Sequence, residues 1–220
     1  MQPSPNAETR GPADPSARDV IADPYPPVRA PKRRKSYSGE HALATMQEAS
    51  KIGGAVVDEA DTRRRLIAML RSAYSGELAA ALAYRAHRKA VSNGAERAAI
   101  ARIEDDEWTH RRDVGTLLRE LGAKPAPVRE LVMGAIGCSA GASCFLGSWI
   151  LPMYFAGKLE HANICEYEDG AGYARQLRLP AFERALLEMA AVERSHEAFF
   201  LRTVAAHPWL PALKRLFSWG

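Results

Sequence analysis

Apolar and small side chains return at steps of three and four along four long stretches of this chain, the spacing of amphipathic helices. The first is predicted over residues 61–92, where Leu66, Leu70, Ala73, Tyr74, Ala81 and Tyr84 share a face. Asp61 or Thr62 can cap its start, and Asn93-Gly94 ends it. The second covers 95–121, with Ile100, Ile103, Val114 and Leu117 in its stripe and Gly122 as its stop. The third covers 152–178, with Met153, Gly157, Ile164, Tyr167 and Ala171 on one side. The fourth starts at Pro180, a residue suited to a first helical position, and has the clearest stripe: Phe182, Leu186, Met189, Phe200 and Thr203. The expected fold class is all-α.

The same stripes carry six polar residues. Glu77 falls on the first, Glu107 and His110 on the second, Glu160 on the third, Glu193 and His196 on the fourth. A carboxylate on a buried stripe is costly unless it is paired or metal-bound. In Glu107-Trp108-Thr109-His110 and Glu193-Arg194-Ser195-His196 the acid and the imidazole stand three apart, so both project from one face of a helix. Any one of these glutamates alone reads as a salt bridge or a solvated end. The order Glu, Glu-x-x-His, Glu, Glu-x-x-His is instead the donor set of a two-metal carboxylate site in a ferritin-like four-helix bundle. Oxygen and nitrogen donors without a nearby thiolate suit iron or manganese better than structural zinc. Four carboxylates against two divalent ions give a neutral pocket, whereas without metal the buried anions repel. Of the neighbours, Asp105 and Asp106 read as a solvated acidic face and Glu104 as a group supporting the ligands. His161 and Glu166 point elsewhere by spacing, although a modest rotation of the third helix would bring Glu166 in.

A ferritin-like bundle needs a long crossover between its second and third helices, and residues 123–150 supply one. Residues 131–157 contain no Asp, Glu, Lys or Arg. That length could span a bilayer, but Gly134, Gly137, Gly141, Gly147, Ser139, Ser143 and Pro152 make it a poor single span. Between a buried crossover and a segment lying in the membrane surface, the second reading is preferred. Gly137-x-x-x-Gly141 is a small-residue helix contact pattern. At the C-terminus, Trp209, Phe217 and Trp219 with Lys214 and Arg215 suit a membrane interface or a tail packed on the bundle about equally.

Residues 1–60 form a Pro/Arg-rich tail without hydrophobic period, expected to be disordered. It holds a basic run at 31–35, read first as a solvated linker, and a short helix expected at 39–52. No apolar run of the secretory kind opens the chain, and Glu8, Asp14, Asp19 and Asp23 disfavour a mitochondrial transit peptide. The bundle is expected over 61–220. The 220 residues are 47% hydrophobic, ample for its core, and the net charge is only +4, so no nucleic-acid partner is indicated. Cys138, Cys144 and Cys165 form no C-x-x-C and cannot all pair, which favours reduced thiols. No Gly-x-Gly-x-x-Gly follows a strand, so no internal nucleotide domain is expected.

Ser75-Gly76-Glu77, Glu107-x-x-His110, the glycine-rich apolar crossover running to Gly157-Lys158-Leu159-Glu160, and Glu193-x-x-His196 together resemble the demethoxyubiquinone hydroxylase family. Its members are membrane-bound diiron monooxygenases of ubiquinone biosynthesis. The likeness covers about residues 61–205. Thirty residues separate Glu77 from Glu107 and fifty-three separate Glu107 from Glu160, which fits the family layout. The resemblance implies Glu77, Glu107, His110, Glu160, Glu193 and His196 as ligands of two iron ions. It also implies a role in electron delivery for Tyr167, which matches a tyrosine beside the metals. Further implied are O2 and NAD(P)H-derived electrons as co-substrates, a polyprenyl quinone substrate, and an electron donor or lipid-binding protein as partner. The implied location is peripheral, on the cytoplasmic face of a bacterial inner membrane. The sequence departs from the family in its long tail, in His161 where a second glutamate is usual, and in lacking an acidic run before His196. The alternative function is iron handling or peroxide scavenging by a soluble ferritin-like protein, which has no need of so long an uncharged crossover.

Overall fold

A computed structural model describes residues 58–220. The tail and its expected basic run and short helix lie, up to residue 57, outside the described residues; 58–60 open the first helix. Six helices and no strand are present among the described residues: α1 (Glu59–Ala90), α2 (Gly94–Glu120), α3 (Pro127–Ser143), α4 (Ile150–Gln176), α5 (Pro180–Val204) and α6 (Leu210–Phe217). The fold is an all-α, ferritin-like bundle of α1, α2, α4 and α5.

Local chemistry sets the helix ends. Asp58, rather than Asp61 or Thr62, caps α1 by accepting from the Ala60 N–H at 3.0 Å. Asn93 caps α2 by accepting from the N–H groups of Ala95 and Glu96 at 2.9 and 3.2 Å. These bonds satisfy N–H groups that a helix start leaves without partners. After α2, Gly122 turns left-handed (φ 67°) while the Ala123 N–H reaches back to the Leu118 carbonyl at 2.9 Å. Arg178 takes the same conformation after α4 (φ 57°), with Leu179 bonding Ala174 at 2.9 Å. Both ends carry the six-to-one bond of a Schellman motif.

The four long helices run antiparallel to their neighbours, as cross-pairs show. Arg85 meets Glu104 while Arg111 meets Tyr74, so α1 opposes α2. His161 meets Glu197 while Arg175 meets Glu183, so α4 opposes α5. The two hairpins face each other, α1 against α4 and α2 against α5. The predicted stripes turn inward. Leu66, Leu70, Val114, Leu118, Phe182 and Leu186 close one end of the interior. Ile150, Met153, Tyr154, Phe200 and Trp219 are buried towards the other. Each such side chain contributes about 1.5–3 kcal/mol on burial, which offsets the cost of the polar layer between the two ends.

The crossover holds a helix of its own. α3 lies on α1, and the small-residue pattern is where they touch: a Cβ on Gly137 would stand 2.7 Å from the Ala79 Cα, and one on Gly141 2.7 Å from the Ala86 Cβ. The other side of this segment is not buried. Val128, Leu131 and Leu146 are 77%, 76% and 88% exposed, and Val132, Ile136 and Phe145 are exposed as well. No helix among the described residues is long and apolar enough to cross a membrane.

The C-terminal piece packs on the bundle. The Trp219 indole N–H donates to Glu197 at 2.9 Å, and the Tyr154 hydroxyl donates to the Trp219 carbonyl at 2.8 Å. Gly157 makes room for that indole, because a Cβ there would collide with Trp219 and Phe200. Trp209 stays exposed. Cys138, Cys144 and Cys165 are all free thiols.

Candidate metal centre

Glu77, Glu107, His110, Glu160, Glu193 and His196 meet in the middle of the bundle, each at most 4% exposed. Their side chains form two overlapping groups. Glu77, Glu107, His110 and Glu193 make one, and Glu107, Glu160, Glu193 and His196 the other, with donor atoms within 4.8 Å of one another in each. Glu107 and Glu193, one from each Glu-x-x-His motif, belong to both. The Nδ1 of His110 lies 2.9 Å from Glu193 Oε1. The Nδ1 of His196 faces Glu193, Glu107 and Glu160 at 3.3, 3.7 and 3.8 Å.

The groups fit a pair of metal ions. Both oxygens of Glu107, one oxygen each of Glu77, Glu160 and Glu193, and Nδ1 of His110 are buried without a hydrogen-bond partner among the described residues. Orphaned buried acceptors are rare because each costs about 1–3 kcal/mol or more. Here they point at one another, and cations between them would satisfy them. The donors are carboxylate and imidazole, with no thiolate, which suits iron.

Protons otherwise balance the charge. Burial, aided by the charge of Glu193, pushes Glu107 and Glu160 well above the usual carboxylate range and raises Glu77 as well. Burial acts the same way on Glu193, but the adjoining Glu160, His110 and His196 side chains outweigh it and hold that carboxyl low. Burial opposes charge on His196, yet Asp106, Glu160 and Glu193 raise it well above the ordinary imidazole value. Loading metal therefore displaces protons.

Two tyrosines cross the site. Tyr167 on α4 donates its hydroxyl to Glu77 on α1, and Tyr84 on α1 donates to Glu160 on α4. Each tyrosine stands seven residues after its own helix's glutamate, so Tyr84 has the same sequence signature as Tyr167. The stripe reading placed Tyr84 in the core without seeing this. Asp106 corrects another expectation. It is not merely solvated: its Oδ2 lies 3.1 Å from Nε2 of His196. Glu104, the expected supporting group, is turned away and paired with Arg85 and Arg88 at 2.8 and 2.7 Å. His161 is exposed and pairs with Glu197, and Glu166 interacts with Ser72 and Arg129; neither joins the cluster.

An apolar cavity of about 340 Å³ lies beside the cluster, between α1, the end of α3 and the start of α4. Tyr84 forms part of its wall, so one side chain separates the cavity from Glu160. Phe155 and Leu159 line it and are also exposed, so it opens beside the uncharged face of the crossover. A second groove, between α2 and α5, is lined in part by Asp106, Asp113 and Glu188 and reaches His110.

Comparison with known proteins agrees with this geometry. Residues 64–162 match the family described as COQ7, ubiquinone biosynthesis protein COQ7. Over that stretch, a little under half of its length, the chain is similar to that family. The matched stretch carries Glu77, Glu107, His110 and Glu160 and stops before Tyr167; Glu193 and His196 lie beyond it. Neither a curated protein nor a solved structure gives a match. The match supports a role in ubiquinone biosynthesis.

Proposed function

We propose that this chain is a diiron monooxygenase that hydroxylates a ring carbon of demethoxyubiquinone at the membrane surface. One observation carries the reading: buried carboxylates with unpartnered oxygens, converging with two imidazoles, lie one tyrosine away from an apolar cavity. Glu77, Glu107, His110, Glu160, Glu193 and His196 would hold two iron ions, Glu107 and Glu193 being the residues common to both donor groups. When bound, the ions supply activation of O2 for insertion of oxygen into the ring.

The protein's own work is placement. Tyr84 and Tyr167 hold Glu160 and Glu77 by hydrogen bonds. Asp106 fixes the orientation of His196. The apolar wall excludes water and admits a ring with a polyprenyl tail. The exposed Leu131, Ile136, Phe145 and Leu146 lie against the lipid, peripherally on the cytoplasmic face of a bacterial inner membrane. Electrons come from NAD(P)H directly or through a partner protein, and Tyr167 is the side chain we assign to their delivery.

The deciding experiment is a quinone profile of cells lacking this gene. Accumulated demethoxyubiquinone is the expected result. An unchanged profile overturns the substrate and favours iron handling, in which case the purified protein oxidises ferrous iron without quinone. Glu193→Ala should remove both bound iron and hydroxylation; a variant that keeps two irons per chain would sink the ligand set.

A further inference from the structure

Every polar side chain lining the apolar cavity but one already has a partner. The Tyr84 hydroxyl is committed to Glu160. The Ser143 hydroxyl donates to the Ala140 carbonyl at 2.7 Å, and the Cys144 thiol reaches the same carbonyl at 3.4 Å. The exception is His87. Its ring lies one turn beyond Tyr84, is 3% exposed and lines the cavity. Neither ring nitrogen has a hydrogen-bond partner among the described residues; its side chain makes only ring contacts, with Tyr84 at 6.4 Å (22° between planes) and Phe200 at 6.5 Å (8°).

We propose that His87 binds a ring oxygen of the substrate, and so selects for an oxygen-substituted ring over a hydrocarbon of the same shape. The proposal rests on the reading that the cavity takes a quinone, and goes beyond it by naming the residue that reads the head group. The stack fixes the plane of the imidazole. Its unpaired nitrogens are the cavity's free hydrogen-bonding capacity, and in an apolar site such a group favours a matching oxygen. Burial pushes the imidazole down to about 4, so the ring is neutral near neutral pH. A neutral imidazole has one donor and one acceptor nitrogen. It can donate to a quinone carbonyl or, by the other nitrogen, accept from a quinol hydroxyl, so both redox forms of the ring can be held.

The test uses the full chain, a fully substituted 1,4-benzoquinone with a short alkyl tail, and the corresponding alkylbenzene as a hydrocarbon control. Dissociation constants are measured by titration calorimetry and iron content is measured alongside. His87→Phe keeps the stack and removes the nitrogens, and should weaken the quinone by about tenfold, a loss typical of a buried polar group left unmatched. Hydrocarbon affinity and iron content should hold. His87→Gln, which restores a donor and an acceptor, should return most of the quinone affinity. If Phe unsettles the fold, His87→Met gives the same comparison. Equal quinone affinity in the wild type and the apolar variant overturns the role of His87 and leaves the function above intact. A wild type that binds the hydrocarbon and not the quinone, or neither, overturns both.

Discussion

Asp106 lies 3.1 Å from Nε2 of His196, on the far side of the ring from the three glutamates that face Nδ1. The contact leaves Nδ1 as the nitrogen free for metal and gives the other nitrogen's proton an acceptor. His110 has no such support by symmetry, because the position before Glu193 that corresponds to Asp106 is Val192. Asp106→Ala should therefore weaken iron at the group containing His196 by about tenfold or more, the usual cost of removing an outer carboxylate. Iron titration should show one affinity lowered and the other unchanged from the wild type. Two undisturbed sites would count against this role.

Glu107 is fully buried and neither of its oxygens has a hydrogen-bond partner. A group kept for metal rather than for stability is better replaced by an apolar one when metal is absent. Glu107→Leu should raise the unfolding free energy of the chelator-treated protein by about 1–3 kcal/mol while abolishing iron binding. Urea unfolding with and without iron checks both halves. Glu104→Leu should do the opposite, destabilising the protein by leaving Arg85 and Arg88 without their carboxylate.

Tyr84 and Tyr167 make equivalent hydrogen bonds, so Tyr84→Phe and Tyr167→Phe should each cost about 1–2 kcal/mol of stability and retain iron. They should differ in chemistry. Only Tyr167→Phe is expected to slow reduction of the iron pair by NADH, by about tenfold or more at the ~1.4 kcal/mol per decade of rate. Stopped-flow reduction in the absence of quinone separates the two.

His87 gives a pH signature independent of metal. Burial holds it at about 4 in the folded chain, against 6.5 for the free side chain. Between these values the unfolded chain binds a proton that the folded one does not, so stability falls as pH drops through that window and is flat above it. His87→Phe should therefore lose roughly 2 kcal/mol less than the wild type between about pH 7 and about pH 4.5. Chemical denaturation at the two pH values measures the difference.

Leu131 and Leu146 stand out from the uncharged crossover. The double variant Leu131→Glu, Leu146→Glu should reduce co-sedimentation with anionic phospholipid vesicles by about tenfold or more, each lost apolar contact being worth about 1 kcal/mol or more. Its fold and iron content should not change. Unaltered vesicle binding would remove this face from the membrane contact.

The sequence made the stripes and the six converging residues visible because helical period and burial are the same signal: a glutamate in step with leucines ends up where the leucines go. Pro180, Gly122 and Asn93 marked their boundaries for the same local reasons that operate in the fold. What was hidden depends on rotation about helix axes. Glu104 and Asp106 sit two positions apart in one acidic run, and only the packing of α2 against α1 and α5 sends the first to arginines and the second to His196. The helix inside the crossover was masked by its glycines, which read as breaks but are contact points with α1. His87 gave no signal, since a histidine in the last turn of a helix is ordinarily a favourable charge there.

Glu107 and Glu193 belong to both groups of donors, and each group takes three residues from one hairpin and one from the other. Neither hairpin can house an ion by itself. An ion held in either group would act as a clasp across the seam of the molecule, and whatever pries α1–α2 from α4–α5 would empty both positions together.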